Sequence, residues 1–138
     1  MLVSDNIVKG VIECVADSLV LDEAQIGTET TIIGELKAES LDFMDIIFKL
    51  EAKFGIALDK SDFDLLAKLG MQRDQAIVDD MLTLAAKQKL LIWLPKMPVD
   101  QPVKPPELIR YVAVNSIAKI VEEKIAQKDN FTSLEAQP

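Results

Sequence analysis

Apolar side chains recur at Ile7, Val11, Cys14, Val15 and Leu19. Their spacing predicts one buried face of an α-helix over residues 4–19, with Ser4 or Asp5 placed to cap it. Residues 20–39 lose that period and keep only scattered apolar anchors at Ile26, Ile32, Ile33 and Leu36. A structureless loop of that length is uncommon in a compact domain. The segment is therefore expected to pack through its anchors and to hold a short helical turn near Ile32–Leu36. Helical spacing returns over residues 40–54, where Ile46, Leu50 and Phe54 fall four apart with Ile47 on their flank. Leu41, Phe43, Met44 and Phe48 spread the apolar surface beyond that stripe, and the two phenylalanines read as an enlarged core. Gly55 suits the stop.

The middle of the chain has a different texture. Residues 62–69 and about 74–92 read as helices carrying Leu65, Leu66, Leu69, Ile77, Val78, Met81, Leu82, Leu84 and Leu90, with Gly70 between them. "PKMPVDQPVKPP", residues 95–106, holds five prolines in twelve positions, so an extended connector is predicted. Pro106 can open a last helix that runs to about Gln127 with Val114, Ile117, Val121 and Ile125 on one face. The expected organisation is one domain over residues 1–127, with 59–106 as a helical and proline-rich insertion and 128–138 as a polar, disordered tail. Trp93 reads as a core residue, with an exposed partner anchor as the other possibility.

Composition narrows the chemistry. The 138 residues suffice for one domain with a real core, and 49% hydrophobic with 28% charged residues suits a globular chain. Histidine is absent, which removes the commonest general base and metal ligand. The single cysteine, Cys14, lies among Val11, Val15 and Leu19 and reads as a small core residue. "DKSDFD" fails as a calcium loop: Phe63 occupies a ligand position, Asp64 replaces the turn glycine, and Gly70 replaces the closing carboxylate. No apolar run is long enough to span a membrane and no signal peptide is visible, so a cytoplasmic location is expected.

Charge sharpens this picture. Of the net −8, most comes from residues 1–58, which hold 11 acids against 4 bases; residues 59–106 hold 7 of each. Such a field disfavours nucleic acid and anionic membranes and steers toward basic protein surfaces.

One hydroxyl stands where this acidic region becomes a helix. Ser40 follows Glu39 and precedes Leu41-Asp42. As a nucleophile it has no histidine to activate it, and Ala38 and Asp42 occupy the flanking positions where a nucleophile elbow needs glycines. By itself Ser40 reads as a helix cap.

The stretch around it changes that balance. "ESLDFMDIIFKLEAKFGIAL", residues 39–58, resembles the signature of acyl carrier proteins: an acidic residue, serine, leucine and a second acidic residue open an acidic-and-apolar second helix. The resemblance covers residues 4–58 and resumes at about 112–127, and its wording is closest to specialised carriers of very-long-chain acyl groups in lipid A synthesis. It implies an all-α, acyl-carrier-like four-helix bundle with an additional helical insertion between the second and last helices. It also implies that the chain is not an enzyme. The cofactor would be 4′-phosphopantetheine, joined to Ser40 by a phosphopantetheinyl transferase and holding an acyl chain as a thioester. That chain would pass between acyl-loading synthases and acyltransferases with basic surfaces, in fatty acid or lipid A synthesis.

The residues fit a carrier on their own terms. A carrier serine needs only to be reachable, because the transferase supplies the base. A phosphodiester at Ser40 would meet the positive end of the helix dipole. Glu39, Asp42, Asp45 and Glu51 offer acidic contacts, and Leu41, Met44 and Phe48 an apolar centre, for basic partners. Glu39 departs from the family's usual aspartate. The alternative is an unmodified carrier-like module that binds a partner through this helix. The apolar insertion is expected to pack beside the second and last helices and to enlarge an acyl pocket, with Met44, Met71 and Met81 able to line it; an apolar surface offered to a partner is the other possibility.

Overall fold

The computed structural model describes residues 4–135, with side chains described through residue 128. Three long helices organise it: α1 (Asp5–Leu19), α2 (Ser40–Phe54) and α5 (Val114–Glu135). The shorter α3 (Arg73–Ala76) and α4 (Leu84–Leu90) flank a hairpin of β1 (Ile77–Val78) and β2 (Met81–Leu82). The expected helical, acyl-carrier-like bundle is present.

The seam between α1 and α2 shows their antiparallel sense. Ser18 Oγ donates to Asp45 at 2.7 Å. Going down α1 and up α2, Asp17 pairs with Lys49 at 2.8 Å and Glu13 with Lys53 at 2.7 Å. Beneath these polar contacts Val11, Val15, Ile46 and Leu50 are fully buried, and they meet Ile117, Ile120 and Val121 of α5. Cys14 is buried among them, and burial pushes its thiol pKa up. Gly55 ends α2 at φ 63°, a left-handed conformation that glycine adopts without a Cβ clash.

The long connection packs through its anchors, as expected: Ile26 and Ile32 are buried. Residues 32–36 form a single turn that does not propagate, while a 3-10 helix forms at Glu23–Gln25 instead. Its backbone is then stapled to the start of α5. Ile32 N donates to Val112 O at 3.0 Å, and Thr31 bridges Ala113.

The insertion differs most from expectation. No helix spans 74–92. The chain turns through α3, reverses in the hairpin and resumes as α4, with Ile77 facing Leu82 and Val78 facing Met81. Asp79 and Asp80 take φ 52° and 64° at the tight turn; two positive φ angles mark the hairpin turn whose twist suits antiparallel strands. Residues 62–69 likewise break into 3-10 turns at Lys60–Phe63 and Ala67–Leu69, with Gly70 ending the second. The expected last helix is also split. Pro105–Tyr111 is 3-10, Val112 and Ala113 interrupt it, and α5 then continues to Glu135 past the expected end at Gln127. A tail was expected over 128–138; residues 136–138 lie outside the described residues.

The insertion nevertheless joins the same core. Leu82, Leu90, Leu94, Met97 and Val103 are buried in it. The proline-rich stretch takes part: Leu82 N donates to Val103 O at 2.9 Å, and the buried Lys87 donates to Gln101 O at 2.8 Å. The insertion packs on α5 through Lys68–Glu123 and Asp62–Lys124, and on α2 through an edge-to-face Phe43–Phe63 pair at 5.6 Å. Trp93 lies half-buried against the core, and Lys68 and Lys119 approach its ring at 5.2 and 5.8 Å.

Candidate functional site

Ser40 is the first residue of α2 rather than its cap. Glu39 holds the cap position in extended conformation, and its amide donates to Asp42 Oδ2 at 2.9 Å. The expectation that Ser40 would cap the helix is therefore corrected: a neighbour's carboxylate serves the helix start. The hydroxyl is exposed and makes no hydrogen bond among the described residues. A phosphodiester there would sit beside the unpaired amides of the first turn. Covalent attachment from outside needs such an accessible, uncommitted oxygen, so the local geometry fits phosphopantetheine.

The apolar residues beside it divide sharply. Phe43 is buried, as an enlarged core requires. Phe48 is not: it is 58% exposed, with Leu41 at 79% and Met44 at 51%. These three share one face of α2 at spacings of three and four and form an open apolar strip next to Ser40.

The acidic residues divide as well. Glu39 and Asp45 are exposed, and Asp42 and Glu51 half-buried. Ser18's hydrogen bond, and then that of Lys49, hold the Asp45 carboxyl below the usual carboxylate range. Asp45 is thus ionised at neutral pH while helping to bind α1 to α2; that contribution fades as acid drives the pH down through its lowered pKa. Glu51 turns back to accept the Leu58 amide at 2.9 Å, so it also fixes the chain leaving α2.

Two recesses flank this end of the bundle. One, of about 320 Å³, is lined by Phe63, Leu65, Leu66, Leu108, Ile109 and Val112 with neighbouring prolines. Phe63 links it to Phe43, one helical turn after Ser40. None of Met44, Met71 and Met81 lines it. The other, of about 650 Å³, opens beside residues 31–37. Sequence reading missed both, because the first joins residues 63–66 to 105–112 and the second joins residues 31–37 to Lys96 and Arg110–Tyr111. Among the described residues no cluster of metal-ligating side chains occurs, and no helix is long and apolar enough to cross a membrane.

Residues 9–70 match the family model described as "Phosphopantetheine attachment site". The acyl carrier protein of Campylobacter lari is 35% identical over 69 residues, covering 50% of this chain and 84% of the relative. That of Thermotoga maritima is 32% identical over 56 residues, 41% of this chain and 69% of the relative. That of Rickettsia typhi is 41% identical over 56 residues, which span 41% of this chain and 65% of the relative, just under two thirds. The chain belongs to the acyl carrier protein family. Its prosthetic group is covalent 4′-phosphopantetheine, and it is a carrier rather than a catalyst.

Proposed function

We propose that Ser40 is the attachment residue and that this protein presents an acyl chain to successive cytoplasmic enzymes of fatty acid or lipid A synthesis. The observation that carries the reading is the free hydroxyl at the start of α2, inside the matched segment 9–70. When bound, the prosthetic group supplies a flexible arm whose terminal thiol holds the acyl group as a thioester. The chain's own residues do the rest. The first turn of α2 receives the phosphodiester. Leu41, Met44 and Phe48 give the transferase and acyl-handling enzymes an apolar centre, and Glu39, Asp42, Asp45 and Glu51 surround it with negative charge. The recess beside Phe63 gives an acyl chain apolar space, with a wall contributed by the insertion.

The test uses coenzyme A and a broad-specificity phosphopantetheinyl transferase, read by intact-mass spectrometry. One arm per chain is expected, and none on Ser40→Ala. Modification of another serine would overturn Ser40 as the attachment residue, and no modification with the host's own transferase would leave an unmodified docking module as the better reading.

A further inference from the structure

The larger recess carries charge of the wrong sign for this molecule. Its walls include Thr31, Glu35, Lys37, Lys96, Arg110 and Tyr111. Three cations thus meet one carboxylate, in a chain of net charge −8. The carboxylate is already committed. Glu35 Oε1 accepts from Lys96 Nζ at 2.6 Å and from the Thr31 amide and hydroxyl at 3.2 Å each. Lys96, ahead of Thr31, holds the Glu35 carboxyl below the usual range, so it remains ionised at neutral pH. Among the described residues Lys37 and Arg110 pair with no carboxylate.

The walls are built firmly. Besides the contacts of Thr31 and Ile32 with residues 112–113, Val114 N donates to Thr30 O at 3.0 Å. At Gly34 the loop lies so close to the opposite wall that a Cβ would stand 2.8 Å from Arg110 O, a backbone atom that cannot swing aside. Lys37 holds φ 60°, which L side chains rarely adopt. It stands three residues before Ser40, so the recess borders the chain that leads into the arm-bearing helix.

We propose that this recess binds a phosphorylated group, a pyrophosphate or phosphomonoester, brought to the arm. A guanidinium fork, two ammonium groups and the Tyr111 hydroxyl are suitable donors to phosphate oxygens. Two sources share this chemistry. One is coenzyme A: in arm transfer the Ser40 oxygen bonds to the phosphorus that bears pantetheine, and the pyrophosphate P–O bond breaks. Adenosine 3′,5′-bisphosphate then leaves, and the transferase takes the hydroxyl proton. The other is a phosphorylated acceptor of the acyl group. The purpose assigned to the recess rests on the reading of Ser40, but its binding can be measured before any arm is attached.

The experiment titrates the unmodified, isotope-labelled protein with inorganic pyrophosphate and, separately, with coenzyme A, following the amides of Gly34, Lys37 and Arg110. Saturable shifts are expected. Lys37→Asn with Arg110→Gln should weaken pyrophosphate about tenfold or more, the effect of losing charge-assisted hydrogen bonds, while Lys89→Gln on α4 should leave it unchanged. Asparagine tolerates the left-handed backbone, and Arg110 meets Gly34 through its carbonyl, so both variants should keep the wild-type circular dichroism spectrum. Coenzyme A binding more tightly than pyrophosphate at these amides identifies the arm donor as the source. Pyrophosphate binding without coenzyme A shifts there identifies the acceptor. Linear, non-saturating shifts with both probes, or a double variant that binds like the wild type, overturns the proposal whatever the outcome at Ser40.

Discussion

Residues 5–58 and residues 59–106 supply the same core by opposite means. The first segment does it with two fifteen-residue helices whose apolar positions repeat regularly. The second uses 3-10 turns, two short helices, a two-residue-per-strand hairpin and a proline-rich connector. Yet Leu90 and Leu94 are as completely buried as Ile46 and Leu50. Burial therefore does not depend on the regularity of the element that delivers the side chain. In the first segment a helix face delivers it. In the second, tertiary contacts such as Leu82 N to Val103 O hold pieces too short to persist alone.

Substitution at Leu94 tests that equality most strongly. If the insertion is part of the core, Leu94→Ala should cost about 2–5 kcal/mol, the same range as Leu50→Ala in α2. Urea denaturation would measure both, with a single transition expected. A Leu94→Ala cost below about 1 kcal/mol, or a separate early transition, would make residues 59–106 an appended layer.

A smaller effect sharpens where the two regions meet. Phe43 of α2 and Phe63 of the insertion pack edge to face. A double-mutant cycle with Phe43→Leu and Phe63→Leu should give a coupling of about 0.5–1.5 kcal/mol. The same cycle, read on acyl-loaded protein, should change if the chain enters the recess that Phe63 lines. Coupling near zero in both states would separate the insertion from α2 and remove the path from Ser40 to that recess.

The two regions also differ in how much could be read in advance. The C-terminal limit of α2 was legible to the residue, because apolar spacing and Gly55 agree on it. Ser40 was singled out as the proposed attachment residue through the residues around it. Its freedom from capping was not legible, because that depends on Glu39 standing extended and Asp42 folding back. Within the insertion, Ile77, Val78, Met81 and Leu82 suit a helix and a hairpin equally. Only the left-handed Asp79-Asp80 pair decides between them, and aspartate is a weaker sign of that turn than glycine. The break at Val112–Ala113 follows from pairing with residues 31–32, far away in sequence. The cation-lined recess was hidden for the same reason: Lys37, Lys96 and Arg110 belong to three separate stretches whose charges look unrelated along the chain.

The smallest effects lie in the backbone and separate a helix from a hairpin by sign. Each region holds non-glycine residues at positive φ, but of different kinds. In the first, Val20 ends α1 at φ 55° while 90% exposed, so no burial compensates a β-branched side chain in that conformation. Relief of about 1–2 kcal/mol, less about 0.5–1 for glycine's greater freedom in the unfolded chain, leaves a gain of about 0.5–1 kcal/mol for Val20→Gly. In the insertion, Asp80 at φ 64° is a tolerant residue already, so Asp80→Gly should gain only a few tenths of a kcal/mol. Were residues 74–92 a helix, the same glycine would instead cost a few tenths of a kcal/mol, because aspartate is already among the poorer helix formers. Thermal unfolding of the two variants should therefore give two increases in Tm, the larger at Val20. A clear loss at Asp80 would restore the helix and dissolve the contrast between the two regions.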